Sequence, residues 1–238
     1  MPLATPNRRD YQLREMSSIA PIITTFTLGP YETNCFVVTP GAPARGSACW
    51  IVDCGIDPDE MLEWVGQQRL KPAAILLTHT HLDHIAGVDR ALARLKSSDL
   101  PIYLHEKEGG FCSNPMLNLS ALIGLDTTCR EPDHLVKDGD MLELAGVSGP
   151  WRVLHTPGHS PGGVCYIHDD SKQAIVGDAI FAGSIGRHDF PTSDVGDLRR
   201  SIQKIMQLPD DMTIHPGHGP ATTIGQERRS NPFVVGGF

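Results

Sequence analysis

From Ile22 onward the chain alternates short apolar runs with polar, Gly- and Pro-rich turns. Residues 22–28 (IITTFTL), 34–39 (NCFVVT) and 48–53 (ACWIVD) have strand character, and 39–47 (TPGAPARGS) is a hairpin-like connection. A helix is predicted next, with Asp57 as N-cap, Pro58 at the first helical position, Glu60 completing a capping box, and Met61, Leu62 and Val65 as its apolar face. Residues 73–78 (AAILLT) are continuously apolar, as a buried strand requires, and run into THTHLDH. Beyond that loop Ile85, Val88, Leu92 and Leu95 recur at helical spacing.

The second half repeats the alternation. PIYLH, WRVLH, GVCYIH, AIVGD and MTIH read as strands, and Leu198, Ile202, Ile205 and Met206 mark a late helix. Residues 106–132 carry the weakest pattern. Strands alternating with helices predict an α/β fold. With no linker-like composition break and no repeat, the chain reads as one domain over residues 22–238, preceded by a loose, polar extension over 1–21.

Composition adds three points. The chain has 238 residues, 40% hydrophobic and 20% charged, which suits a globular fold with a sizeable core. Its formal charge of -8 disfavours nucleic acid as the main partner. The six cysteines form no C-x-x-C pair, so free thiols in a reducing compartment are expected. With no apolar leader pattern and no run near the ~20 residues a membrane helix needs, a soluble, cytoplasmic protein without membrane contact is expected.

The 11 histidines direct attention to one segment, Thr78-His79-Thr80-His81-Leu82-Asp83-His84. His79 and His81 are two apart, so in extended geometry their rings share one side and can share one ion. Asp83 and His84 enter the next helix and point elsewhere, toward a second ion. Further donors follow predicted strands, each after a small or turn-forming residue: His159 in PGH, Asp178 in GD and His218 in PGH. Strand ends are where α/β folds build their sites.

These residues resemble the metallo-β-lactamase-fold hydrolases. The resemblance implies a four-layer αββα sandwich in which His79, His81 and His159 hold one metal. It places Asp83, His84 and His218 on a second metal, Asp178 as the bridge and Asp53 in support of the ligand loop. Over roughly residues 22–233, including GSIGRHDFP at 183–191 and GHGPATTIGQERRSNPF at 217–233, the chain is most similar to short bacterial members of the glyoxalase II branch. Full-length glyoxalase II adds a C-terminal helical domain that grips glutathione. Only 20 residues follow His218 here (238 − 218), so the thioester chemistry carries over and glutathione recognition does not.

Two dications, zinc by default with iron or manganese also suited to the mixed donors, bring the pKa of a shared water from ~15.7 toward ~7. The expected activity is hydrolysis of a small-molecule thioester, a hydroxyacyl-thiol such as S-lactoylglutathione. Asp83 and Asp178 are the carboxylates at the reaction centre. The rivals are a mononuclear-iron persulfide dioxygenase and a lactone or ester hydrolase of the same fold; a β-lactamase is disfavoured by the bridging Asp178. His155 and His215 are expected in strands as core or supporting residues, His105, His134 and His168 at the surface or in loops, and Cys54 as a small buried hydrophobe. Arg187 and Asp189 are expected to order the loop beside the metals or to touch an anionic substrate.

Overall fold

A computed structural model describes residues 19–236. The expected N-terminal extension therefore lies, except for its last three residues, outside the described residues. Strands β1 (Pro21–Leu28), β2 (Thr33–Pro40), β3 (Ala48–Val52), β4 (Lys71–Leu76), β5 (Ile102–His105) and β6 (His134–Val136) form one sheet in sequential order. Strands β7 (Met141–Leu142), β8 (Trp151–His155), β9 (Val164–His168), β10 (Gln173–Gly177), β13 (Thr213–Pro216) and β14 (Thr222–Thr223) form the second, in the order β14-β13-β10-β9-β8-β7. Between β10 and β13 lie a small hairpin of β11 (Ile180–Phe181) and β12 (Ser184–Ile185) and a long helix.

Side-chain alternation along the strands builds the layers. Phe36, Val38, Trp50 and Leu76 meet Trp151, Val153 and Tyr166 between the two sheets. The opposite face of the first sheet, with Val37, Ile51 and Ile75, packs on helices α1 (Asp59–Gln67), α2 (Leu82–Ile85) and α3 (Val88–Leu95). That of the second, with Cys165, Ile167 and Val176, packs on α4 (Val195–Ile205) and α5 (Ile224–Ser230). A last short helix, α6 (Pro232–Val235), follows. This is the αββα sandwich, within the α/β class. Among the described residues no helix is long and apolar enough to cross a membrane.

Two local expectations change. Helix α1 starts at Asp59, with Pro58 at the cap and no side-chain capping bond. Asp57 has φ 56, a left-handed backbone rather than an extended N-cap, and its carboxylate faces Arg90 at 3.5 Å instead. The helix predicted through Ile85, Val88, Leu92 and Leu95 is broken at Ala86-Gly87. There the Gly87 amide donates to the Cys54 carbonyl at 2.9 Å, and a Cβ at Gly87 would sit 2.2 Å from the Gly55 carbonyl oxygen. The chain docks on the 53–55 turn, and that contact sets where α3 begins.

Candidate metal centre

All the predicted donors lie just past strand ends on one rim of the sandwich. The β4 exit carries His79, His81, Asp83 and His84. β8 leads to His159, β10 to Asp178 and β13 to His218. Glycines let the last three approach. Gly158 has φ +131 and leaves only 2.1 Å between a Cβ and the Leu198 nitrogen, while a Cβ at Gly217 would stand 2.1 Å from Asp178 Oδ1.

The ligating atoms converge. His79, His81 and His159 form one group, Asp83, His84 and His218 another, and His79, His84 and Asp178 a third, each with its donor atoms within 4.8 Å of one another. Asp178 lies between the sets: its Oδ1 is 3.4 Å from His84 Nε2, and its Oδ2 is 3.4 Å from both His159 Nε2 and His218 Nε2. The buried Nε2 atoms of His81, His84 and His159, and Oδ1 of Asp178, have no hydrogen-bond partner in the protein. Buried polar atoms are ordinarily satisfied. Imidazole nitrogens and carboxylate oxygens left bare and aimed at one another are what a divalent cation requires, so the donors fit a metal site.

Neighbouring groups set the ring tautomers. His84 Nδ1 lies 2.8 Å from Asp53 Oδ2, His159 Nδ1 2.8 Å from the Arg187 carbonyl and His218 Nδ1 3.1 Å from the Tyr31 carbonyl. Each arrangement keeps a proton on Nδ1 and bares Nε2. Asp53 has φ 58 and is fully buried, and it also accepts from the Thr78 amide and hydroxyl, both at 2.7 Å. The same hydroxyl lies 3.1 Å from His79 Nδ1. One carboxylate thus orients two rings.

The charges are tightly coupled. Burial disfavours the charged form of His79 and His81, and with the adjoining imidazoles it holds both well below the usual histidine range. Burial acts on His84 in the same direction, but Asp83, Asp178 and Asp53 outweigh it and raise that ring well above the usual range. For His218, Asp178 and Asp83 overcome burial and raise it to about 10. Burial opposes ionisation of Asp83 and Asp178 too, yet the surrounding imidazoles hold both below the usual carboxylate range. A pocket that holds carboxylates ionised against burial is suited to cations.

Other histidines sort as follows. His155 and His215 are half-buried in β8 and β13 and belong to none of the donor groups. His134 is exposed, as expected, although at the start of β6. His105 and His168, expected at the surface or in loops, are buried at the ends of β5 and β9. His105 stacks on His155 with centroids 3.9 Å apart, and His168 lies 2.7 Å from the Ser171 hydroxyl and 2.8 Å from the Ser148 carbonyl. Each strand-end ring gains contacts there that composition does not reveal. All six cysteines are buried and free, with the Cys54 thiol pushed up by burial and Asp53. Arg187 and Asp189 pair with each other through two 2.9 Å bonds.

Two supporting residues escape sequence reading. Glu108, fully buried, accepts from the Thr80 hydroxyl at 2.7 Å and the Gly162 amide at 2.9 Å, joining the His79-His81 loop to the His159 loop. Asn34 donates to the carbonyls of Pro216 and Gly219 at 2.9 and 2.7 Å, clasping the His218 loop. Neither has a local motif; an acid in a 3-10 turn after a strand is the only signal for Glu108.

The sequence profile of the metallo-beta-lactamase superfamily matches residues 28–218. The chain belongs to that superfamily. It is similar to the hydroxyacylglutathione hydrolase GloC of Haemophilus influenzae, 35% identical over 187 residues, covering 77% of this chain and 86% of GloC. Among solved structures, the B3 metallo-beta-lactamase BLEG-1 is 38% identical with a TM-score of 0.82, covering 90% of this chain and 100% of that one. TTHA1623 in a di-iron-bound form is 36% identical with a TM-score of 0.75, covering 88% and 99%. As a superfamily member with these donors in place, the chain is read as a metallo-hydrolase.

Proposed function

We propose that this metallo-hydrolase is dinuclear and cleaves a thioester, with hydroxyacyl-thiols such as S-lactoylglutathione as its substrate class. The observation that carries the reading is Asp178, whose carboxylate lies 3.4 Å from His159 of one donor set and 3.4 Å from both His84 and His218 of the other. His79, His81 and His159 would hold one ion and Asp83, His84 and His218 the other, with Asp178 available to both. Zinc suits five imidazoles; the carboxylates suit iron or manganese as well, and TTHA1623 is a relative with a di-iron form.

Divalent ions in such a site supply Lewis acidity and an acidified water. Asp178 stays ionised between the two donor sets. Asp83, partly open to the cleft, is steadied by the Thr33 hydroxyl at 2.7 Å and lies 3.2 Å from His218 Nε2, so it is placed to pass a proton. Hydrolysis forms one C–O bond and breaks the C–S bond, giving a carboxylate, a thiol and one proton. A thiol of pKa about 8.5 leaves as thiolate with little acid assistance.

The test is metal analysis of the purified chain paired with a thioester assay. About two ions per chain and hydrolysis of S-lactoylglutathione are expected, and His84→Ala should lose one ion and most of the rate. Undiminished hydrolysis by that variant removes the two-metal reading, and oxygen uptake on glutathione persulfide with one iron per chain replaces it. The identity to BLEG-1 favours one second reading, β-lactam hydrolysis, which a chromogenic cephalosporin in the same assay separates.

A further inference from the structure

A cleft of about 340 Å³ opens directly onto His81, Asp83, His159, Asp178 and His218. That volume is at the small end for ligand sites. Its remaining wall is almost wholly apolar, from Tyr31, Leu119, Leu122, Ile123, Phe181 and Phe190. Tyr31, Leu122 and Ile123 are 46%, 49% and 52% exposed, an unusual state for large apolar side chains gathered at a reactive centre.

The wall is built rigidly. Leu122 and Ile123 sit on a 3-10 turn, Ser120–Ile123, flanked by Leu119 at φ 67 and Gly124 at φ 75. A non-glycine residue in the left-handed region persists only where its surroundings impose it. Here Asn118, fully buried, does so: its side chain accepts from the Ser120 amide at 3.0 Å and donates to the Thr127 carbonyl at 2.9 Å. The Asn118 carbonyl in turn accepts from the Leu82 amide at 2.9 Å, between the donors His81 and Asp83. The apolar turn is thereby fixed in register with the metal loop.

Charge on the wall is sparse. Among the described residues that line the cleft the only Lys or Arg is Arg187, and its fork is occupied by Asp189 while its guanidinium lies 4.2 Å from the Phe190 ring. A thiol such as glutathione brings two carboxylates, and beyond the metal donors the wall offers them a single cation, the exposed Arg187 that pairs with Asp189. We propose that the cleft selects a thioester bearing an uncharged apolar group, an alkyl chain or aromatic ring seated against Leu119, Leu122 and Ile123. This rests on the thioester reading above. The bonds made and broken are those of that reading: C–O forms, C–S breaks, and a proton is released.

Metal-replete, full-length protein is assayed with two substrate series. In one the thiol is N-acetylcysteamine and the acyl chain grows from two to ten carbons. In the other the acyl group is lactoyl, and the thiol runs from glutathione through N-acetylcysteamine to hexanethiol and benzyl mercaptan. Either kcat/KM should rise about twofold or more per added methylene in the acyl arm until the cleft is full, or it should rise from glutathione to hexanethiol and benzyl mercaptan in the thiol arm, and the rising arm identifies which side of the thioester carries the group. Leu122→Ser with Ile123→Ser should flatten that slope, with an unchanged far-UV spectrum and metal content showing that the fold is kept. Flat profiles in both arms, or a slope untouched in the double variant, overturn the proposal and leave thioester hydrolysis standing. No turnover of any thioester by protein holding two metals removes the underlying reading instead.

Discussion

Asp53 and His84, 31 positions apart in the chain, meet at 2.8 Å between Oδ2 and Nδ1, with neither side chain exposed to solvent. The contact fixes which nitrogen of His84 faces Asp178, and through Thr78 the same carboxylate steadies His79. Partners of this kind matter nearly as much as the ligands they orient. Asp53→Asn keeps the volume and tolerates the left-handed backbone, but its amide group cannot accept the three donors now shared by two oxygens. Metal affinity should fall by about 10–100-fold, read by competition with a chromophoric chelator, with the second ion lost first. Wild-type affinity in this variant would show that packing alone orients His84.

Glu108 gives a separable prediction because it touches no donor atom. Glu108→Ala leaves the Thr80 hydroxyl and Gly162 amide without their acceptor and should cost about 2–4 kcal/mol in denaturant unfolding of the metal-free protein. Cobalt titration should show the His79, His81 and His159 group weakened, with its absorption spectrum altered. Glu108→Gln should recover much of both effects, since one amide oxygen can still accept from Gly162 while the Thr80 hydroxyl turns to accept from the amide nitrogen. Equal damage in both variants would point to the charge rather than the two bonds.

How much of this was legible in sequence follows from where the information resides. The H-x-H-x-D-H loop and the strands whose apolar faces alternate are local, and so are the two PGH turns; they appear in the structure where the pattern puts them. Glu108, Asn34 and the apolar turn at 120–123 are not local. Each matters through bonds to segments far along the chain, such as Asn34 to the 216–219 loop, and no periodicity records such a bond. His105 and His168 read as surface or loop residues for the same reason: a strand-end histidine looks polar until the ring or carbonyl opposite it is known. At Asp57 the left-handed backbone, φ 56, replaces the extended conformation a capping residue needs, and the sequence pattern does not reveal it.

Gly217 tests whether the two donor sets need their close approach. A Cβ there would stand 2.1 Å from Asp178 Oδ1 and 2.8 Å from His84 Cε1, distances no packed atom tolerates. Gly217→Ala must therefore displace Asp178 or the loop bearing His218. Hydrolysis should fall by about 100-fold or more, as a 1 Å misplacement near reacting groups can cause. Bound metal should drop below two ions per chain, while the far-UV spectrum is unchanged because the strands beneath are untouched. Retention of both ions and full activity would mean that the loop yields freely, and the Asp178 geometry would lose its importance.

The His105–His155 stack makes stability depend on pH away from the metal donors. The rings are 3.9 Å apart and 11° from parallel, and they join the end of β5 in one sheet to the end of β8 in the other. Burial, then the adjacent His155, lower His105 from 6.5 to about 4, against smaller opposing effects from Glu106 and Asp138. Its Nδ1 also accepts from the Lys107 amide at 3.3 Å, a role a protonated ring gives up. Because the folded value lies below the unfolded one, the folded protein binds fewer protons between them. The stability is complete above pH 6.5 and is lost as pH falls toward about 4. His105→Phe keeps an aromatic face against His155 and removes the titration. In metal-free protein, where donor occupancy cannot contribute, wild type should lose on the order of 1–3 kcal/mol more than His105→Phe between pH 7 and 4, by urea unfolding at each pH. Parallel curves for the two proteins would mean that His105 takes up its proton in the folded state as readily as in the unfolded chain, and that the stack does not resist charge.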